Sequence, residues 1–158
     1  MKFSDFLVVD AIITDLKATT RDEVVEELVD SLTGAGAAPK TLQPKLIEQI
    51  VEREKHGSTG FGKGVAVPHA KHEKINKMVA TIGLSRQGVD FNALDHAPVY
   101  AIILLLSPKS NPDEHLQAME NIFSNLQKDT FRRFLRQASS REDVEDLIQE
   151  ADAQQLAG

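Results

Sequence analysis

At 158 residues, 41% hydrophobic and 27% charged, the chain has the size of one globular domain with enough apolar material to bury a real core. The lack of cysteine excludes disulfides, thiolate catalysis and sulfur-ligated zinc, and suits a reducing cytoplasm. A net charge of −6 with no basic cluster and no Trp argues against nucleic acid, and no long apolar run or basic leader calls for membrane insertion or secretion.

Residues Phe3 to Leu16 read as a short opening turn followed by a strand. Thr20 and Glu23 have the spacing of a capping box, and Val24, Val25, Leu28, Val29 and Leu32 then recur at helical spacing until Gly34 and Gly36 end the helix. Pro44 falls in the first turn of a second helix, whose buried stripe is Leu46, Ile47, Ile50 and Val51 and whose C-terminal end carries Arg53.

A loop with Gly57, Gly60, Gly62 and Gly64 follows, then the short apolar run Val65-Ala66-Val67, which stops at Pro68 and places His69 just beyond a strand end. Glycine-dense backbone leaves N–H groups free to converge on an anion. Met78 to Ser85 reads as a strand, Arg86-Gln87-Gly88 as a turn, and Val89-Asp90-Phe91 as its antiparallel partner. Val99 to Leu106, a continuous apolar run between Pro98 and Pro108, reads as a central strand buried on both faces.

Asn111, Pro112 and Glu114 then start a helix with His115 in its first turn and a core face of Leu116, Met119, Ile122, Phe123 and Leu126. Phe131, Phe134 and Leu135 mark a further short helix. A last one opens at Ser139 and Ser140, and the tail from about residue 152 to 158 frays. The order predicts a single α/β domain over residues 1–158, with a mixed sheet of about five strands flanked by helices.

Three chemistries fit parts of this pattern. Gly57 to Lys63 follows the nucleotide phosphate-loop pattern, but Gly64 stands where a magnesium-binding hydroxyl is needed, and the loop runs from helix to strand, the reverse of a P-loop. His69, His72, Glu73 and His115 could be assembled as metal ligands, but Lys71 and Lys74 put positive charge where the cation would sit. The third is nucleophilic: a neutral imidazole at His69 attacks phosphorus, with Arg53, Ser58, Thr59, the loop amides and the helix N-terminus at His115 as anion stabilisers. The plainer role for Arg53 is to cap its own helix through C-terminal carbonyls.

The run Arg53-Glu54, Ser58-Thr59-Gly60, Gly64-Val65-Ala66-Val67-Pro68-His69, with Glu114-His115-Leu116 downstream, resembles the type-2 enzyme IIA proteins of the phosphoenolpyruvate-dependent phosphotransferase system. The likeness runs from Phe3-Ser4-Asp5 to Asp143-Val144-Glu145-Asp146-Leu147. It implies that His69 is phosphorylated on Nε2, that Arg53 and His115 line its pocket, and that Ser58, Thr59, Gly60, Gly62, Gly64 and Pro68 support the loop. It also implies a phospho-HPr-like donor protein, an acceptor that is either an enzyme IIB or a regulatory target, and no metal or other cofactor. Phe61 is the expected part of an apolar docking rim. A chain without a fused IIB or permease segment leans towards a nitrogen-related regulatory branch; the alternatives are a fructose- or mannitol-type uptake subunit and a metal- or ligand-binding domain without phosphotransfer.

Overall fold

The computed structural model describes residues 1–154, and the expected frayed tail lies outside them from residue 155 onward. In chain order the elements are α1 (Arg21–Gly34), α2 (Gln43–Lys55), β1 (Val65–Ala66), β2 (His69–His72), β3 (Val79–Val89), β4 (Val99–Pro108), α3 (Pro112–Leu126), α4 (Asp129–Gln137) and α5 (Arg141–Asp152). Asp152 is held in place, since its carboxylate accepts hydrogen bonds from the amides of Phe3 and Ser4 at 2.8 and 3.1 Å.

The apolar run predicted to be central is β4, and the other three strands each pair with it. β1 and β2 run parallel to β4, and β3 runs antiparallel, so the sheet is mixed. Along β4 the side chains alternate between two cores. Ala101, Ile103 and Leu105 pack with α3, α4 and α5, whereas Ile102, Leu104 and Leu106 pack with α1 and α2. A strand buried on both faces needs apolar residues at every position, which is why its sequence shows a run instead of an alternation.

β1 and β2 meet β4 in one register, Val65 beside Ala101 and His69 beside Leu105. They are two pieces of one edge strand, interrupted at Pro68. The Pro68 carbonyl accepts from Leu105 N–H at 3.1 Å, so the missing proline N–H lies on the β4 side, where it would have continued the ladder. His69 is therefore the first residue of a strand and not a residue beyond one.

Several expectations change. The sheet has four strands among the described residues: Phe3 to Leu16 does not form one, the two expected at Met78 to Ser85 and Val89 to Phe91 are a single strand, and β2 is additional. The opening segment makes 3₁₀ turns at Phe3–Asp5 and Val9–Ala11, and it meets β3 through isolated bridges at Leu7 and Ile13 and through the Val8 and Leu16 amides, which donate to the Ala80 and Leu84 carbonyls at 2.8 Å. Residues Arg86 to Gly88 do not turn the chain either. β3 continues through them as one 11-residue strand with a bulge between Leu84 and Val89, where Gly88 takes φ 92° and its N–H bonds Ser85 Oγ. On α3 the inward stripe is His115, Ala118, Ile122, Asn125 and Leu126, one residue out of phase with the expected one at Leu116 and Met119. Leu116 is 59% exposed, and Met119 and Phe123 are only partly covered.

Candidate active site

The parity of the edge strand sets the site. Val65 and Val67 face the core beneath α3, and Ala66 and Ala70 face the core beneath α2. His69, two residues after Val67, therefore faces α3, as does Ser107 two residues after Leu105 on β4. Asn111 caps α3, its side chain accepting from the Glu114 amide at 3.4 Å, and the helix's first turn carries His115 inward. The ring centroids of His69 and His115 lie 5.6 Å apart with planes inclined at 51°.

Each ring is held by its Nδ1. His69 Nδ1 lies 2.8 Å from the Val67 carbonyl oxygen. A carbonyl only accepts, so Nδ1 carries the hydrogen, and in the neutral ring the lone pair belongs to Nε2. Burial lowers the pKa of His69, with Arg53 and Lys71 adding to the effect, and the Val67 bond and Glu54 opposing it. His115 is 8% exposed, and its Nδ1 lies 2.6 Å from the hydroxyl of the fully buried Ser107. Its pKa falls to about 4, through burial first and then through the neighbouring charges of His69 and Lys71. Both imidazoles are neutral at pH 7.

Behind His69 stands a residue absent from the expected site. Glu54, 3% exposed, continues the buried stripe Leu46–Ile50 by one further turn of α2. Its carboxylate accepts from the Thr59 amide at 2.8 Å and from the Thr59 hydroxyl at 2.5 Å. The same hydroxyl oxygen accepts from Val67 N–H at 3.2 Å. Glu54, Thr59, the Val67 peptide and His69 thus form one connected chain that ties the end of α2 to the ring. A buried carboxylate on an apolar helical stripe was the signal in the sequence, since such a group persists only when hydrogen-bonded.

The glycine loop is spent largely on its own shape. The amides of Thr59 and Gly60 are taken by Glu54 and by Ser58 Oγ (2.9 Å), so they are not free for an anion. Gly60 sits so close to Ala93 that a Cβ would lie 3.0 Å from the Ala93 Cβ. Gly62, Lys63 and Gly64 all take positive φ, turning the chain into β1, and the Gly64 carbonyl accepts from Tyr100 N–H at 2.8 Å. Arg53 is exposed at the end of α2; its Nη1 donates to the Gly57 carbonyl at 2.7 Å, while its charge reaches His69. Phe61 is partly buried, its ring 5.3 Å from that of Phe123, so it packs against α3 as well as facing outward.

Among the described residues no three His, Asp or Glu side chains converge as a metal set. His72 is engaged elsewhere, accepting from the Lys74 amide through Nδ1. No helix of the described residues is long and apolar enough to cross a membrane.

The fold and the paired histidines define an α/β domain with a histidine centre at the edge of a mixed sheet. Residues 5–151 match the family described as the phosphoenolpyruvate-dependent sugar phosphotransferase system, EIIA 2, and the chain belongs to that family. A nitrogen regulatory protein of Pseudomonas aeruginosa is 32% identical over 82% of each chain. A fructose-specific EIIA component of Haloferax volcanii is 29% identical over 83% of this chain and 84% of its own. The chain spans only 24% of a fructose-specific EIIABC component of Bacillus subtilis, at 29% identity. Among solved structures, the nitrogen regulatory protein IIA-Ntr of Neisseria meningitidis superposes with a TM-score of 0.82 at 28% identity, covering 91% of this chain and 97% of that one.

Proposed function

We propose that the chain is a phosphocarrier in which His69 Nε2 takes a phosphoryl group from a phospho-HPr-like donor protein in the cytoplasm and gives it up to an acceptor protein. The observation that carries this reading is the Val67 carbonyl on His69 Nδ1, which leaves the Nε2 lone pair as the nucleophile of a neutral ring. In the transfer that lone pair forms the new N–P bond in line as the donor's N–P bond breaks, and the departing electron pair returns to the donor nitrogen. No metal, nucleotide or other cofactor enters the step. Arg53 and a hydrogen bond from His115 Nε2 offset the charge spread over the phosphoryl oxygens, while Ser58, Thr59, Gly60, Gly62, Gly64 and Pro68 hold the loop in shape.

We place the chain in a regulatory branch, where its phosphorylation state selects a partner, on the strength of its likeness to nitrogen regulatory proteins over 82% of each chain. The similar coverage of the fructose-specific component from Haloferax volcanii favours the second reading, an uptake subunit whose acceptor is an enzyme IIB. Mixing the phosphorylated protein with IIB domains separates the two. Rapid loss of the phosphoryl group to a IIB domain supports uptake; its retention, together with capture of a different protein by one phosphorylation state alone, supports regulation.

A further inference from the structure

Ser107 is buried completely at the end of β4, and its hydroxyl oxygen lies 2.6 Å from His115 Nδ1. Among the described residues this is the hydroxyl's only hydrogen-bond contact. A serine hydroxyl always brings a hydrogen that needs an acceptor, and in a site closed to solvent no water replaces a missing one. Were His115 Nδ1 the protonated nitrogen, it would donate to Ser107 Oγ and leave the hydroxyl hydrogen without an acceptor among the described residues. With Ser107 donating and Nδ1 accepting, the buried hydroxyl hydrogen is used.

We propose that Ser107 is a positioning residue that fixes the tautomer of His115, keeping Nδ1 as an acceptor so that the hydrogen sits on Nε2, the nitrogen free to donate to a phosphoryl group. This rests on the phosphocarrier reading for its purpose, but the tautomer exists in the resting protein and is read without any phosphoryl transfer. The pair gives the site two imidazoles with opposite assignments: the backbone carbonyl of Val67 makes His69 Nε2 a lone pair, and the hydroxyl of Ser107 makes His115 Nε2 a donor. A nucleophile and a hydrogen-bond donor are thereby made from the same side chain type, 5.6 Å apart.

Long-range ¹H–¹⁵N correlation spectra of the full chain labelled in histidine, at neutral pH, test this directly. The wild-type His115 is expected to show the pattern of the Nε2–H tautomer. In Ser107→Ala it moves to a mixture or to the Nδ1–H form, and phosphorylation of His69 slows by about ten-fold, the weight of one aligned hydrogen bond; Ser107→Thr restores both. A wild-type His115 already in the Nδ1–H form overturns the proposal without recourse to any variant, as does a Ser107→Ala spectrum unchanged at His115. If His69 accepts no phosphoryl group at all, the phosphocarrier reading fails and the spectra alone decide the role of Ser107.

Discussion

His69 and His115 face each other at 5.6 Å between ring centroids, and each has its Nδ1 bonded to the protein, His69 to the Val67 carbonyl and His115 to the Ser107 hydroxyl. The two rings reach this arrangement from different elements, one from the restart of an edge strand after Pro68 and the other from the first turn of α3. Their closeness and burial make a proton on either one unfavourable.

The pH dependence of stability follows from that cost. Both rings are bases whose folded values lie below the ordinary 6.5, His115 at about 4, so between these limits the unfolded chain binds more protons than the folded one. Stability is therefore full above pH 6.5 and falls as the pH drops towards 4. Urea unfolding of wild type and His115→Asn from pH 7 to 4 measures this, and the variant should lose less stability over the interval. Parallel curves would mean that His115 is not depressed.

Glu54 anchors the loop. Glu54→Ala leaves the Thr59 amide and hydroxyl without their acceptor in a buried place, and a loss of about 2–3 kcal/mol of stability is expected. Glu54→Gln keeps one acceptor and should lose less. Chemical denaturation of both variants is the check, and an Ala variant as stable as wild type would show that the chain from Glu54 to His69 is slack.

Arg53 has two claims on it, a bond to the Gly57 carbonyl and a charge near His69. As a phosphoryl-stabilising group it predicts that Arg53→Ala keeps the fold and slows phosphorylation by about a hundred-fold, the scale of losing one preorganised donor. A variant that unfolds more easily yet takes up phosphate at the normal rate assigns Arg53 to capping alone.

Leu116, adjacent to His115 and 59% exposed, leaves much of an aliphatic side chain in water beside the site. Leu116→Ser should leave the melting temperature unchanged and raise the donor concentration needed for half-maximal phosphorylation several-fold, as for an apolar contact in a protein interface. An unchanged concentration dependence would place donor docking elsewhere.

The sequence carries the central strand, the five helices and their order, because apolar runs and caps are local signals. It does not carry the pairing of Leu7 and Ile13 with β3, since bridges interrupted by 3₁₀ turns leave no period to read. The β3 bulge was hidden by Gly88, which in sequence marks a turn and a bulge equally well. Within the site, the motif points to His69, Arg53 and His115. Ser107 is silent there, because a serine ending an apolar strand carries no pattern of its own. The phase of α3 differs by one position in its first turns, because the apolar Leu116 and Met119 signal a core face in sequence while a buried stripe opened by a histidine does not.

The central claim is that His69 Nε2 carries the phosphoryl group. The direct measurement is incubation of wild type and His69→Ala with phosphoenolpyruvate, enzyme I and HPr, followed by intact-mass spectrometry at neutral pH and after mild acid. The wild type should gain about 80 Da, one phosphoryl group, and lose it in acid, while His69→Ala gains nothing. An adduct of the same mass on His69→Ala, or none on the wild type with a phosphorylated donor present, would contradict the account.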